Sequence, residues 1–220
     1  MTYASIIICT RNRAHSLAST LKSIEVAIRS APDMVVEVIL VDNASDDDTQ
    51  QVAMNWSASV PFNVSVLFEP RKGLSYARNT GIGVAVGQIL AFTDDDCTLT
   101  PDYLRMLEHH YKRDITPTLR GGRVELGCSD DLPFSIKLDS TARRMTALDH
   151  PGGFIIGANM TMHRDVIVTA GLFDVRFGAG ARFIAGEDTD FIYRCFLKYV
   201  PVEYVPDMIV KHFHGRRDKE

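Results

Sequence analysis

The sequence has no apolar run of about 18 residues, the least that a membrane-spanning helix needs, so none of its 220 residues is predicted to cross a membrane. Its four cysteines are scattered, with no CxxC pair and no metal-finger spacing, which predicts reduced thiols. The N-terminus lacks the order of a signal peptide, because its short apolar stretch precedes the basic residues. We therefore expect a cytoplasmic protein, with peripheral docking at the inner face of a membrane left open.

A strong charge of one sign is also lacking, since 24 lysines and arginines oppose 28 aspartates and glutamates for a net charge of −4. This balance gives no electrostatic reason to expect nucleic acid as a partner. Neither G-x-G-x-x-G after a strand nor G-x-x-x-x-G-K-[ST] occurs, and Gly81 and Gly83 lack a third glycine. A Rossmann dinucleotide site and a P-loop are therefore not supported.

Short apolar runs alternate with amphipathic stretches in the N-terminal half of the chain. Strands are predicted at residues 5–9, 35–41, 64–68 and 89–92. Helices are predicted at residues 14–29, after Ser45, at residues 74–86 and from Thr100-Pro101 onward. Ser45 is the expected cap of the second helix, with Asp46, Asp47 and Asp48 in its first turn. The alternation predicts a mostly parallel sheet with helices on both faces.

Beyond about residue 115 this alternation loosens. Strands of mixed orientation are predicted at residues 119–126, 153–156, 159–163, 202–205 and 208–213, and a helix at residues 189–198. No internal repeat or low-complexity linker divides the chain. We interpret residues 1–220 as a single α/β domain, with a nucleotide-binding half at residues 1–115 and a smaller, mixed acceptor-side half at residues 116–220.

Acidic residues collect where two predicted strands end. Asp42 directly follows the second strand, and Asp94, Asp95 and Asp96 follow the fourth. Ligands of parallel sheets bind beyond the carboxyl ends of the strands, so these carboxylates are expected to share one crevice. Adjacent carboxylates repel one another, and Mg²⁺ or Mn²⁺ relieves this repulsion while binding substrate phosphates. The alternative is a solvated, aspartate-rich turn that caps the next helix.

Several segments in a fixed order carry a family resemblance. They are CTRNR after the first strand, VDNASDDDT after the second, EPRKGLSYARNTGIGVAVGQILAFTDDDC over the third and fourth, and GEDTDFIYR further on. Nearly the whole chain resembles family 2 glycosyltransferases, which have the GT-A fold. The resemblance implies metal-dependent, inverting sugar transfer from a nucleotide-diphosphate donor, with a UDP-sugar favoured, to a glycan or lipid-linked acceptor in surface polysaccharide or glycoconjugate synthesis. The Q-x-x-R-W signature of the family's membrane synthases is absent.

The resemblance also implies roles for individual residues. It places Asp42 at the nucleotide base and Arg78 near the base and diphosphate, within a donor-binding set made of Thr10, Arg11, Asp42, Arg78, Asp94, Asp95, Gly157 and Asn159. Asp94 and Asp96 match the D-x-D motif as metal ligands, and the third aspartate leaves the register open. A late histidine of the family completes the metal shell. His212 and His214 share a strand face, and we prefer His212.

The acidic cluster in GEDTD contains the candidates for a general base. An inverting transfer needs a carboxylate to take the proton of the acceptor hydroxyl. Helical spacing places Glu187 and Asp190 on one face and leaves the choice open, and all three acids also suit a helix N-terminus. The resemblance implies Asp188 as the base, with Glu187 beside it in the catalytic pair.

Two other functions compete with this interpretation. LAFTDDDCT fits the D-x-D-x-T motif of haloacid-dehalogenase-type phosphohydrolases, in which Asp94 is the phosphorylated nucleophile. That motif normally follows the first strand of its domain, whereas three predicted strands precede it here. The other alternative is a nucleotide-sugar-binding module without catalysis, and the carboxylates at both the metal and base positions argue against it.

Overall fold

The computed structural model describes residues 2–217 of the predicted domain, and Met1 and residues 218–220 lie outside the described residues. Its strands are β1 (Ala4–Thr10), β2 (Val36–Asp42), β3 (Asn63–Phe68), β4 (Ile89–Asp94), β5 (Cys97–Leu99), β6 (Leu119–Leu126), β7 (Arg143–Arg144), β8 (Asn159–His163) and β9 (Val202–His212). Its helices are α1 (Leu17–Arg29), α2 (Thr49–Ser59), α3 (Leu74–Val84), α4 (Tyr103–Tyr111), α5 (Asp165–Ala170) and α6 (Glu187–Leu197).

The strands form one nine-stranded sheet in the order β3-β2-β1-β4-β8-β6-β9-β5, with β7 paired to β9. The four strands from β3 to β4 along this order are parallel, and β6 is parallel to β9. β8 is antiparallel to both of its neighbours, and β5 and β7 are antiparallel to β9. The mostly parallel α/β sheet that the alternation predicted is confirmed, and strands from both halves of the chain belong to it.

Two apolar layers cover the sheet because successive strand residues point to opposite faces. On one face, α1, α2 and α4 pack over a layer that includes Ile6, Ile8, Leu21, Ala53 and Leu107. On the other face, α3, α5 and α6 pack over a layer that includes Ile7, Ile39, Ala77, Val166 and Phe191. Burial on both faces explains why the central strands are continuous apolar runs rather than alternating ones.

The prediction for Ser45 is wrong. α2 begins at Thr49, after Asp48, so the aspartates precede its first turn. The Ser45 hydroxyl instead accepts a hydrogen bond from the backbone N–H of Asn12 at 2.9 Å. Ser45 thereby joins the loop after β2 to the loop after β1, which are neighbours because the two strands pair.

Residues 153–156 were predicted as a strand, and this is also wrong, since they form a turn with an isolated bridge between Gly152 and Ile155. α4 begins two residues later than predicted and α6 two residues earlier. The two late strands are one strand, β9. A bulge opposite Gly122 and Arg123 absorbs residues 206–208, where the apolar pattern is interrupted.

Among the described residues, no helix combines the length and the apolar character that crossing a membrane requires. All four cysteines are free thiols.

α3 approaches the sheet closely at Gly81. A Cβ atom there would lie 2.7 Å from Cγ2 of Ile7 and 3.4 Å from Cγ2 of Val41. Gly83, two residues further along the same helix, has open space at the corresponding position. The absence of a side chain at Gly81 thus sets the distance between α3 and the central strands.

Gly81→Ala is expected to lower the free energy of unfolding by about 1–3 kcal/mol, because the added methyl group overpacks a buried contact with a stiff, β-branched side chain. Gly83→Ala is the matched control, and we expect it to leave that free energy unchanged or raise it by up to about 1 kcal/mol through helix propensity. Urea unfolding measures both. Equal stability of the two variants would contradict the close approach at Gly81.

Candidate active site

A cavity of about 400 Å³ opens beyond the carboxyl ends of β1 and β4, which are parallel neighbours. Seven residues that the sequence analysis singled out line it: Thr10, Arg11, Asp94, Asp95, Asp96, His212 and His214. The lining also includes ten further residues, among them Arg13, Asn43, Phe134, Ser135 and Arg216. Topology therefore brings the loops after two strands, the end of β9 and the segment after it to one place.

Burial disfavours the charged forms of the carboxylates of Asp94 and Asp95. Burial raises the pKa of Asp94, and Arg78, whose Nη2 is 3.7 Å from Oδ1 of Asp94, opposes this only in part. Burial likewise raises the pKa of Asp95 to about 6, against the hydroxyl of Thr10 and the charge of Arg13. Asp96 also raises the pKa of both Asp94 and Asp95, as expected of like charges in a poorly solvated site.

Asp96 is paired on both of its oxygens. Its Oδ1 is 3.2 Å from Nε2 of His212, and its Oδ2 is 3.3 Å from Nη2 of Arg13. Burial raises the pKa of Asp96, but the hydrogen bond and charge of His212, with the charge of Arg13, outweigh it and lower that pKa. Burial lowers the pKa of His212, and Asp96 outweighs it in the opposite direction. Asp96 and His212 therefore stabilise each other's charged forms.

The two histidines differ in what their rings bind. His214 donates from Nε2 to the carbonyl of Leu132 at 3.0 Å, and its Nδ1 accepts from the backbone N–H of Arg216 at 3.0 Å. Both ring nitrogens of His214 thus hold the chain segment after β9 in place. His212 instead directs Nε2 toward a carboxylate, which favours it over His214 as a metal ligand.

The chemistry of this donor set fits a hard divalent cation. Possible ligand atoms of Asp96, His212 and Cys97 lie within 4.8 Å of one another. Burial raises the pKa of Cys97 well above its ordinary value, which keeps it a thiol, and thiols are poor partners for Mg²⁺ and Mn²⁺. Asp94 and Asp96, with the imidazole of His212, are the residues suited to hold such an ion.

Arg78 is not the solvent-facing helix residue that its position on α3 allowed. It is 3% exposed, and its Nη1 donates to Oε1 of Glu187 at 3.1 Å. Its guanidinium also lies over the ring of Phe173, 5.2 Å from the centroid. Burial lowers the pKa of Arg78, but Glu187 and Asp94 outweigh this and raise it, so the residue stays charged. Arg78 thereby joins α3 to β4 and α6.

The three acids at the start of α6 have different partners. Glu187 pairs with Arg78, and Asp190 accepts from Nε of Arg194 at 2.9 Å. Asp188 is held by backbone groups, since its Oδ1 accepts from the N–H of Thr189 at 2.7 Å.

The other oxygen of Asp188, Oδ2, accepts from the N–H of Gly157 at 3.1 Å. A Cβ atom at Gly157 would lie 3.0 Å from Nη2 of Arg78 and 3.2 Å from this Oδ2. A glycine is therefore suited to this position, where a larger residue would displace one of the two charged groups.

Asp42 lies beneath the cavity rather than on its wall. It is 2% exposed, and its Oδ1 accepts from the backbone N–H of Ser45 at 3.1 Å. The next residue, Asn43, lines the cavity and organises the neighbouring loop, donating to the carbonyl of Arg71 and accepting from the N–H of Gly73. The sequence analysis missed Asn43, although its position directly after β2 was a usable signal.

Asn159 does not line the cavity, and the donor-binding role predicted for it stays a prediction. Its side chain is fully buried. The amide accepts from the hydroxyl of Tyr103 at 2.7 Å and donates to the carbonyls of Arg123 and Met208, each at 2.9 Å. These bonds span the bulge between β6 and β9, so Asn159 stabilises the sheet.

Sequence comparison identifies relatives of this chain. The model of the family described as Glycosyl transferase family 2 matches residues 5–169. Succinoglycan biosynthesis protein ExoM of Rhizobium meliloti is 29% identical over 202 residues, which cover 86% of this chain and 60% of that protein.

Two solved structures share the fold. S. aureus TarS 1-349 in complex with UDP-GlcNAc has a TM-score of 0.78 at 17% identity, covering 100% of this chain and 60% of that one. The mannosyltransferase PcManGT of Pyrobaculum calidifontis, in complex with GDP-Man and Mn²⁺, has a TM-score of 0.68 at 18% identity. The match covers 95% of this chain and 56% of that one. The chain spans less than two thirds of the length of each of these relatives. Because the family model matches most of the chain, the protein belongs to glycosyl transferase family 2 and has the GT-A fold.

Proposed function

We propose that this protein transfers a sugar from a nucleotide-diphosphate donor, with a UDP-sugar favoured, to an acceptor hydroxyl in a metal-dependent, inverting reaction. The observation that carries the proposal is the meeting of the Asp94–Arg78–Glu187 ion pairs with the Asp96–His212 pair at one edge of the cavity. Family membership supports a glycosyltransferase over the haloacid-dehalogenase alternative. The UDP-GlcNAc bound by TarS supports the choice of donor class.

The donor is proposed to lie along the loops after β1 and β2. Asp42, which is buried next to Asn43 of the cavity wall, is proposed to bind the base, and Thr10 and Arg11, which line the cavity, are proposed to lie beside the nucleotide. The Nε atom of Arg11 is buried and has no hydrogen-bond partner among the described residues. Buried donors are nearly always paired. The unpaired guanidinium nitrogen of Arg11, a residue that lines the cavity, therefore supports the binding of an anionic ligand there.

Asp94, Asp96 and His212 are the residues proposed to hold Mn²⁺ or Mg²⁺, His212 as the neutral imidazole that ligation requires. The bound ion supplies stabilisation of the negative charge on the departing diphosphate. PcManGT, which has the same fold, is a complex with Mn²⁺. We place Asp95 outside the shell, because its side chain is 11% exposed, against 36% for that of Asp94, and because it is Asp96 that pairs with His212.

Asp188 is the proposed general base. Glu187 is committed to the buried Arg78, so it positions that arginine, whereas hydrogen bonds from backbone groups hold Asp188. The acceptor oxygen attacks the anomeric carbon as its proton passes to Asp188, and the bond between that carbon and the diphosphate oxygen breaks. The leaving group carries away the electron pair of that bond.

The segment at residues 173–184 is proposed to determine sugar and acceptor specificity. It is tied to α3, since Asn79 donates to the carbonyl of Phe173 and the carbonyl of Ala179 accepts from the N–H of Leu74. Ala179 and Gly180 line the cavity, and Ile184 is 81% exposed. A glycan or lipid-linked acceptor in polysaccharide or glycoconjugate synthesis is consistent with the name of ExoM. A location at the inner face of a membrane stays a prediction.

Asp96→Ala is expected to abolish metal-dependent donor binding, because it removes a proposed ligand of the ion. Calorimetric titration with UDP, GDP and dTDP, each with and without Mn²⁺, measures this and identifies the base of the donor. Asp165→Ala, an exposed aspartate on α5, is the control and is expected to bind like the wild type. If the wild type binds none of these nucleotides under any condition, the proposed donor site is wrong.

Asp188→Asn is expected to keep donor binding and lower the transfer rate by about 10²–10⁴-fold, because the amide cannot accept the acceptor proton. Release of UDP in the presence of donor and acceptor measures the rate. Asp190→Asn makes the same change two residues further along α6, where the aspartate pairs with Arg194. This variant is expected to stay active. Full activity of Asp188→Asn would refute the assignment of the base, and binding without turnover in the wild type would favour the non-catalytic module.

A further inference from the structure

Arg13 holds two of the three aspartates at the cavity edge. Its Nε is 3.6 Å from Oδ1 of Asp95, and its Nη2 is 3.3 Å from Oδ2 of Asp96. The other oxygen of Asp96 faces His212. Both oxygens of a proposed metal ligand are therefore already engaged by protein groups.

Hydrogen bonds hold the backbone of Arg13, whereas its side chain is partly exposed. Its N–H donates to the hydroxyl of Thr49 at 2.8 Å, and its carbonyl accepts from the N–H groups of Ser16 and Leu17, each at 3.0 Å. The side chain is 38% exposed. Partly exposed side chains change rotamer readily, so the guanidinium can exchange partners without movement of α1.

Two other arginines near the aspartates, Arg78 and Arg11, are less suited to such an exchange. Arg78 is 3% exposed and is fixed between Asp94 and Glu187. Arg11 faces Asp46, at 3.9 Å, rather than a proposed metal ligand. Arg13 alone among these three combines contact with Asp96 and a mobile side chain.

A divalent ion held by Asp96 would be repelled by the guanidinium of Arg13 and would compete with it for the carboxylate of Asp96. A diphosphate offers an arginine two parallel charge-assisted hydrogen bonds, which a single carboxylate oxygen does not. We propose that Arg13 is a positioning residue that couples metal binding to nucleotide binding: it occupies Asp96 before the donor arrives and moves to the diphosphate when the donor binds. This inference rests on the proposed function, since it takes Asp96 as a metal ligand.

The test measures Mn²⁺ binding with and without UDP, from the electron paramagnetic resonance signal of free Mn²⁺. In the wild type, UDP is expected to raise the affinity for Mn²⁺ at least about 10-fold. Arg13→Gln is expected to bind Mn²⁺ alone about 3–10-fold more tightly than the wild type, because the competing cation is gone. The enhancement by UDP is expected to shrink at least about 5-fold. Arg29→Gln, at the far end of α1, is the matched control and is expected to keep wild-type values.

Arg13→Lys separates charge from geometry. The ammonium keeps the charge that excludes the metal but lacks the bidentate fork, so Mn²⁺ alone is expected to bind as in the wild type while the enhancement by UDP falls. The inference is overturned if Arg13→Gln binds Mn²⁺ more weakly than the wild type while the enhancement by UDP is unchanged. Arg13 would then only support the aspartates, and the proposed function would stay intact. A wild type that binds neither Mn²⁺ nor UDP overturns both.

Discussion

Three carboxylates lie side by side at the end of β4, and burial makes their mutual repulsion costly. Asp94 and Asp95 show this as raised pKa values, and the pKa of Asp96 is lowered because His212 and Arg13 outweigh its burial. A packed core alone would not favour such a cluster. The surrounding cations, Arg13, Arg78 and His212, come from three different parts of the chain, so the site depends on the fold to keep the acids charged.

The buried ion pair of Arg78 and Glu187 connects this cluster to α6, which carries the proposed base, Asp188. Leaving either partner buried and unpaired would cost several kcal/mol, roughly 3–5, so the pair fixes α6 relative to α3 and β4. Asp188 is adjacent to Glu187 on α6 and takes its position from the same anchor. The close approach at Gly81 and the missing side chain at Gly157 let these elements meet. The residues proposed to hold the metal ion and to act as the base are thereby positioned by one set of contacts.

The predictions that were confirmed depend on regular periodicity. Those that were wrong concern the ends of helices, one short apolar segment and a single side chain. The strand at β1 and the amphipathic face of α1 follow from local patterns. Residues 153–156 are apolar because they pack under the site, and apolar character alone does not distinguish a buried turn from a strand. Ser45 resembles a helix cap by residue type, but its hydroxyl is taken by the neighbouring loop. The donor-binding role of Asn159 was predicted from the family segment around it, whereas its hydrogen-bond partners lie on elements that are distant in the sequence.

The sequence by itself determined the α/β class, the parallel order of short apolar strands, the acidic clusters and the resemblance to family 2 glycosyltransferases. Each of these features follows from the types of residue and their spacing along the chain. Only the tertiary structure decided that Arg13 faces Asp95 and Asp96, that Arg78 is buried against Glu187, and that His212 rather than His214 faces a carboxylate. The physical reason is that charge pairing acts through space, across strands and helices far apart in the chain, and the local pattern carries no record of which charges the fold brings together.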